Sequence, residues 1–568
     1  MTDDWRTKTF WDALQWGTRE HGDRVAIIAG TQRTSFSELA QRARALARGL
    51  IEHGVQPGDN VALWSPDCIE WLVARWAVPA MGAVLVPINT RFRDEEIGFL
   101  LSQSQSKALI VSTGAKGINY FDILEQIDPE FRGYRPGDWE SEVFSNLSLV
   151  VGIGDDLPTS VVRFADLESE GRTLADCDGL FDDCAQKITA TDIAQIMYTS
   201  GTTSFPKGAQ VRHGALLQNN FNTIARMNLG PEDRYLASVA LFSATGTSFT
   251  LSPFLAGGAI VLMEDGFSAQ RFCELVESER ITMSFYVEPI VRDLKNYAGL
   301  ADHDLSTLRT GTGAPLQSET FRWLVEDLGV SDLTNVYGLS ETSNATCRSF
   351  WNDQLEDRIV TCGHPMPNIK IRIADPETDR EISGDEMGEI QVNSYTVMPG
   401  YYNMPDETAA TMTADGWLKT GDLGTIRSDG QLIFRGRLKE MIKPGGFNVA
   451  TLEVESFIKN IPGVIEVAIV GVPDERMGEI GYAYVETATS AKVDADTIVN
   501  YCRSHIASYK VPRYVEFVKE WPLTGSGKIK KLSLSEQARQ QISDGQSKDT
   551  HSMVAENRQS TLKEKTND

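Results

Sequence analysis

Residues 198–208 read YTSGTTSFPKG: five serine and threonine hydroxyls, two glycines and a single lysine in eleven positions. The preceding IAQIMYTS (193–200) suits a strand, and GAQVRH (208–213) suits the strand returning from it. A helix then reads through HGALLQNNFNTIARMN, with Leu217, Phe221 and Ile224 on one face. The eleven residues are thus expected to form the loop of a hairpin. Backbone N–H groups in a glycine-rich turn converge on one concavity and bind phosphate oxygens. The hydroxyls add neutral donors, and Lys207 adds a mobile positive charge. A P-loop would end in Gly-Lys-Ser/Thr and open a helix at its lysine. Pro206-Lys207-Gly208 stands there instead, so that reading fails. Taken alone, the composition favours a plain surface turn.

The surrounding chain narrows the choice. It has 568 residues, enough for three or four units of roughly 150 residues each. A 41% apolar fraction supports substantial cores. The formal net charge of −25 argues against nucleic acid or an anionic membrane as partner, since both require basic surface. Anionic small molecules remain open to it wherever cations are gathered locally. The seven cysteines (68, 177, 184, 273, 347, 362 and 502) form no CxxC pair, and the seven histidines show no metal-ligand spacing. Free thiols and a reducing, cytoplasmic setting are expected. MTDDWRTKTFWD is unlike a signal peptide. The longest apolar run, Trp76 to Ile88, is too short to span a bilayer and contains Pro79 and Pro87.

The amino-terminal half alternates helical and strand patterns. An amphipathic helix over 35–54 is followed by the strand NVALWS (60–65), a helix over 67–82 and the strand AVLVPI (83–88). Nearly continuous apolar strands between helices predict an α/β protein whose sheets are covered on both faces. Residues 114–183 are rich in turn formers and acidic groups, and loops and insertions are expected there. A dense charged cluster, RGRLKEMIKPGG (435–446), precedes a short α+β run with strands at 464–472, 482–486 and 514–518. From about Ile542 the polar tail is expected to be disordered.

Further segments stand in a telling order: RTGTGAPL (309–316), NVYGLSET (335–342), GWLKTGDLG (416–424), GRLKE (436–440) and PLTGSGKIKK (522–531). Alone, Tyr337 reads as core, Glu341 as a solvated carboxylate, Asp422 as a turn former and Lys528 as a tail lysine. Together with the loop, the series resembles the adenylate-forming superfamily of acyl-CoA synthetases, luciferases and peptide-synthetase adenylation domains. Its phosphate signature is usually YTSGTTGxPKG, so Ser204 replaces a glycine here.

The resemblance implies a large N-terminal domain (1–436), its sheets covered by helices, with a distorted β-barrel region. A small mobile α+β C-terminal domain (437–541) and a disordered tail (542–568) follow. ATP is expected to contact Thr199, Ser200, Gly201, Thr202, Thr203, Lys207, Gly313, Ala314, Pro315, Tyr337, Gly338, Asp422, Arg437 and Lys528. Ser340 would bond a phosphate oxygen, Glu341 would hold Mg²⁺, and Lys528 would bridge the carboxylate and the α-phosphate. Lys439 is the expected hinge. Phe242, Ser243, Gly246, Gly313 and Leu339 would line the acyl pocket, and Gly445 and Gly446 would border the coenzyme A channel.

The implied activity is that of a carboxylate–CoA ligase. It would form an acyl-adenylate from ATP and then an acyl-CoA, releasing pyrophosphate and AMP. LFSATGTSFT (241–250) has no aspartate to pair a substrate ammonium, which favours a hydrophobic fatty, aromatic or polycyclic acid over an amino acid. Ser243 stands where many acyl-CoA ligases have histidine, and Thr451 replaces a common proline. Alternatives are an adenylating enzyme that loads a separate carrier protein, an oxidising luciferase, or a nucleotide-binding sensor without catalysis. The expected partner is a small carboxylic acid, with the chain a monomer or homodimer.

Overall fold

The computed structural model describes residues 4–543 except 116, 137, 138, 140, 174–177, 200–205, 265, 315, 383–385, 445–448, 475, 490 and 524–527. The chain divides into two compact units. The first comprises Met1–Ile371, Val392–Leu418 and Asp429–Leu432; the second comprises Arg372–Gln391, Lys419–Ser428 and Ile433–Asp568. Among the described residues no helix is long and apolar enough to cross a membrane.

Two large sheets organise the first unit. One has seven strands in the order Lys207–Arg212, Ile193–Thr199, Val84–Pro87, Asn60–Trp64, Ala108–Ser112, Leu149–Ile153 and Val162–Arg163. The other has nine, and its parallel centre runs through Ala259–Leu262, Arg234–Ala237, Met283–Tyr286, Thr310–Gly313 and Asp332–Leu339. Asn344–Arg348 adds to it antiparallel, beside Asp332–Leu339. Side chains alternate between the two faces of a strand, and here both faces are buried. Val61 and Leu63 join the core that also holds Ile27 and Ile260, whereas Ala62 and Trp64 pack with Tyr120 and Phe131 on the other side. Ile28 and Val261 face a third core. The continuous apolar strands of the sequence are the direct consequence.

Residues 114–183 depart from the expectation of loops. They hold the helices Tyr120–Ile127, Phe164–Thr173 and Asp178–Lys187 and the strand Leu149–Ile153. Their acidic residues have partners: Arg42 binds Glu168 at 3.1 Å and Arg44 binds Asp182 at 3.0 Å. Gly49 and Gly171 let the helices Phe36–Glu52 and Phe164–Thr173 touch by backbone. A Cβ on Gly171 would lie 1.8 Å from the Ala45 carbonyl oxygen, and one on Gly49 would lie 2.4 Å from that of Leu167.

A four-stranded sheet, most of whose residues fall in the second unit, is ordered Ile369–Ala374, Gly388–Ser394, Leu418–Ile426 and Leu432–Arg437. The α+β run forms a three-stranded sheet of Val464–Asp474, Gly478–Thr487 and Tyr514–Phe517. Val467 and Ile469 pack under the helices Thr451–Lys459 and Ala495–His505, while Ala468 and Val470 pack against Lys531–Ser543. The tail expected to be disordered lies outside the described residues beyond 543.

Candidate active site

The hairpin is present: Ile193–Thr199 pairs antiparallel with Lys207–Arg212, with Tyr198 opposite Gly208 and Thr199 opposite Lys207. Ser200, Gly201, Thr202, Thr203 and Ser204 lie outside the described residues, as do Pro315, Gly445 and Gly446. Thr199 Oγ1 donates to the Lys207 carbonyl at 3.4 Å. A side chain on Gly208 would press within 2.6 Å of Ile196, so the hairpin requires glycine beside its lysine.

A segment unmarked in the sequence fastens this hairpin to the SET turn. The backbone N–H of Met398 donates to the Glu341 carbonyl at 2.8 Å, and that of Tyr402 donates to the Gly208 carbonyl at 2.8 Å. Between them, the Tyr401 hydroxyl donates to Glu341 Oε1 at 2.8 Å. The Lys207 ammonium lies 5.4 Å from the centre of the Tyr401 ring, within cation–π range. One tyrosine therefore contacts both the expected phosphate-binding lysine and the expected metal carboxylate. Burial, with the Glu341 charge, raises its phenol pKa above the ordinary value, so the hydroxyl stays a donor. Below the hairpin the Tyr198 hydroxyl donates to Gln103 Oε1, and Gln103 Nε2 donates to the Tyr402 carbonyl at 2.7 Å.

Thr342, fully buried, fixes the SET turn from inside. Its hydroxyl accepts from Leu339 N at 3.1 Å and lies 3.1 Å from the Leu339 carbonyl. Ser340, Glu341 and Thr342 form a single 3-10 turn. Tyr337 and Gly338 lead into it on the strand Asp332–Leu339, where a Cβ on Gly338 would sit 1.5 Å from the Asn344 carbonyl oxygen. Gly313 ends the adjacent strand, opposite Asn335, and Ala314 N donates to the Tyr286 carbonyl at 3.3 Å. Mg²⁺ keeps several waters and is usually bound by one or two carboxylates plus substrate phosphates. Glu341, with one oxygen oriented by Tyr401, fits that demand.

Three of the acyl candidates, Phe242, Ser243 and Gly246, lie in one capped turn, while Gly313 and Leu339 end separate strands. Ser243 caps the helix Ala244–Phe249, its hydroxyl accepting from Gly246 N at 2.9 Å and donating to the Ala240 carbonyl at 2.8 Å. Gly246 touches the same carbonyl so closely that a Cβ would lie 2.1 Å from it. Phe242 precedes the cap, and Leu339 heads the SET turn. From the turn after the strand Asn60–Trp64, Asp67 Oδ1 accepts the backbone N–H of Leu241 at 3.0 Å. Burial pushes the Asp67 carboxyl up to about 7 against that hydrogen bond.

The remaining candidates share the second unit. Asp422 is 4% exposed and lies 3.5 Å from Arg437 Nε. Its turn is held by Gly421 N donating to Glu389 Oε1 at 2.9 Å and by the Asp422 N–H donating to Thr420 Oγ1 at 3.1 Å. Lys528 is an exposed residue whose ammonium is nonetheless partly desolvated. Burial and Arg437 lower its pKa against the opposing pull of Asp422 and Glu440. These charges thus converge within reach of one another's fields. Lys439 lies in the single turn Leu438–Glu440. Thr451, the departure from proline, accepts from Lys531 Nζ at 3.0 Å, and Lys531 also binds Glu455 at 2.7 Å and Glu440 at 2.9 Å.

Tyr401, Gln103 and Asp67 carry no motif in the sequence, and Thr342, the last residue of NVYGLSET, was given no role there. Only the tyrosines of GYYN (400–403), an aromatic pair after a glycine, offered a weak signal.

Comparison with known proteins places the chain in a family. The family model described as AMP-binding enzyme matches residues 14–402, and that of the AMP-binding enzyme C-terminal domain matches 453–528. YngI of Bacillus subtilis, assigned by name to the acyl-CoA synthetases, is 33% identical over 518 residues, covering 90% of this chain and 94% of YngI. The mitochondrial medium-chain acyl-CoA ligase ACSF2 of Danio rerio is 30% identical over 546 residues, covering 94% of this chain and 89% of that protein. The anthranilate CoA ligase AuaEII, solved with anthranoyl-AMP, matches with a TM-score of 0.82 at 25% identity, over 94% of this chain and 97% of that one. ATP-bound MatB from Rhodopseudomonas palustris matches with a TM-score of 0.79 at 26% identity, over 93% and 98%. In sequence and in fold, the chain belongs to the AMP-binding enzyme family.

Proposed function

We propose that the protein is an ATP-dependent carboxylate–CoA ligase that forms an acyl-adenylate and then a thioester. The observation that carries this reading is the shared tyrosine: Tyr401 contacts Lys207 and Glu341 together, tying a cation for the phosphates to a carboxylate for their metal.

A carboxylate is a poor acyl donor because oxide would have to leave. Attack on the α-phosphorus of ATP gives a mixed anhydride with AMP as leaving group and expels pyrophosphate. Two anions meet in that step, so positioned cations supply most of its stabilisation. Lys207 and the hairpin hold the pyrophosphate end, and Asp422 and Arg437 orient the ribose. To Lys528 we assign the bridging of the carboxylate and the α-phosphate. Its lowered pKa follows from burial and Arg437; an incoming phosphate would reverse that and hold the ammonium charged. Bound Mg²⁺ at Glu341 would neutralise phosphate charge. For the second step we assign rotation of residues 437–541 about Lys439, withdrawing Lys528 and admitting coenzyme A past Gly445 and Gly446. Closure of this kind also limits water access to the adenylate. Seven cysteines without a CxxC pair support a reducing compartment such as the cytoplasm.

The test measures pyrophosphate release and AMP formation over a panel of acids. Acid-dependent pyrophosphate release without thiol, with AMP formation accelerated by coenzyme A, supports the ligase. No pyrophosphate release with any acid, or acceleration by a carrier protein and not by coenzyme A, overturns it.

A further inference from the structure

Behind the acyl candidates lies an arginine that the proposed chemistry does not use. Arg348 ends the strand Asn344–Arg348 and is 3% exposed. It donates to Thr312 Oγ1 and, at 3.0 Å, to Thr334 Oγ1, and its Nη1 lies 3.4 Å from Met227 Sδ. Its guanidinium carbon sits 5.9 Å from the ring centre of Phe249. Its Nε is enclosed with no acceptor. Among the described residues Arg348 makes no ion pair with any carboxylate. The charge nearest to it in effect is Arg226, of the same sign; burial, reinforced by Arg226, pushes the guanidinium pKa down to about 9.

Such an arrangement is costly for a purely structural residue, because a buried cation needs negative charge or strong acceptors around it. Two other buried arginines show what structural use looks like. Arg226 donates to the Arg348 and Pro365 carbonyls, and Arg358 donates to the Ser331 and Leu333 carbonyls. Arg348 has only two hydroxyls and a thioether. The Thr334 hydroxyl gives its proton to the Gly311 carbonyl at 3.0 Å and meets Arg348 through a lone pair, a neutral acceptor that leaves the cation without a counter-charge. Arg75, also without acceptors, stacks on Phe10 at 4.4 Å, away from every candidate site residue. The surroundings of Arg348 differ. Thr312 directly precedes Gly313, and Phe249 closes the helix that Ser243 caps and Gly246 begins to turn.

On the reading of this site as a carboxylate-activating one, we propose that Arg348 is the inner anchor of the acyl site, receiving a second carboxylate at the far end of an acid whose middle is apolar. Ser243, without the bulk of histidine, leaves the entrance open for such a molecule. The substrate class is then an α,ω-dicarboxylic or carboxy-substituted aromatic acid, not a plain fatty acid.

The experiment pairs each acid of a C4–C12 dicarboxylate series with its monomethyl ester and with the methyl-terminated acid of equal length, reading pyrophosphate release. In the wild type, kcat/KM for the best diacid should exceed that for its ester by roughly 10- to 100-fold, the range of a buried charge-assisted hydrogen bond. Arg348→Met should abolish that preference and favour the ester, leaving KM for ATP unchanged, while Arg348→Lys should keep part of it. A residue that merely bolts three strands would lower all acids alike. A wild type that prefers methyl-terminated acids overturns the proposal and leaves the ligase reading standing, and this result does not depend on any variant folding. Equal preference in the wild type and Arg348→Met overturns it as well. Failure of every acid to release pyrophosphate removes the ligase reading itself.

Discussion

Tyr401→Phe isolates one hydroxyl. The substitution keeps the ring that packs with Ala209, Met398 and Leu418 and that faces Lys207 at 5.4 Å. It removes the 2.8 Å hydrogen bond to Glu341 Oε1. Hydrogen bonds to charged groups contribute about 1.5–3 kcal/mol, and each 1.36 kcal/mol is tenfold in rate or affinity, so a loss of roughly 10- to 150-fold is expected where Glu341 must be oriented. The Met398 N–H still holds the Glu341 backbone at 2.8 Å, so the defect should lie in side-chain orientation and not in the turn. The assay is pyrophosphate release against free Mg²⁺ at saturating acid. The Mg²⁺ half-saturation should rise and kcat/KM for Mg·ATP should fall within that range, with melting temperature nearly unchanged. Tyr402→Phe serves as control: that hydroxyl donates to Gln105 Oε1 at 3.3 Å on the surface, and little change is expected. Unchanged or tighter Mg²⁺ dependence in Tyr401→Phe, or an equal loss in Tyr402→Phe, refutes the coupling.

Lys528→Ala should suppress adenylate formation while leaving thioester formation from supplied acyl-AMP largely intact; equal loss in both half-reactions counts against a lysine used in one step only. Gly246→Ala should impair use of the acid more than of ATP and lower the melting temperature, since its Cβ would meet the Ala240 carbonyl oxygen at 2.1 Å; a wild-type KM for acid and an unaltered melt would show that the turn yields freely. For Asp67 the sign follows from linkage. An unfolded carboxyl titrates near about 4, and burial pushes the folded one up to about 7. The native state therefore holds its proton longer and loses stability relative to the unfolded chain as pH rises through that window. Wild type should thus lose ground against Asp67→Asn from about pH 4 to about pH 7 and run parallel above it; thermal melts that stay parallel throughout would refute the assignment.

The fold was legible where one local rule sufficed. Apolar runs such as NVALW could only be strands buried on both faces, and the structure gives Val61 to one core and Ala62 to another. The region 114–183 misled because acidic residues look solvated until their arginines are known, and Arg42 and Arg44 lie far upstream. The site behaved likewise. Lys207 and Glu341 stand in recognisable segments, but Tyr401 matters only because a remote strap brings its hydroxyl to Glu341. Asp67 acts through one hydrogen bond to the backbone N–H of Leu241, 174 residues away, which leaves no pattern along the chain. Arg348 is visible as a letter, but its lack of a carboxylate is a fact of packing alone.

The place of Val25–Ala29 in the nine-stranded sheet bears on how the protein is made. This strand pairs locally with Gln32–Ser35, but its other edge waits for Ala259–Leu262, with Ile27 against Ile260. A growing polypeptide leaves the ribosome with VAIIA already synthesised and its second neighbour still untranslated. Distant pairings slow folding and leave unpaired strand edges open to aggregation in the interval. Chaperone demand during synthesis, and inclusion bodies from rapid overexpression, are therefore written into the order of the strands.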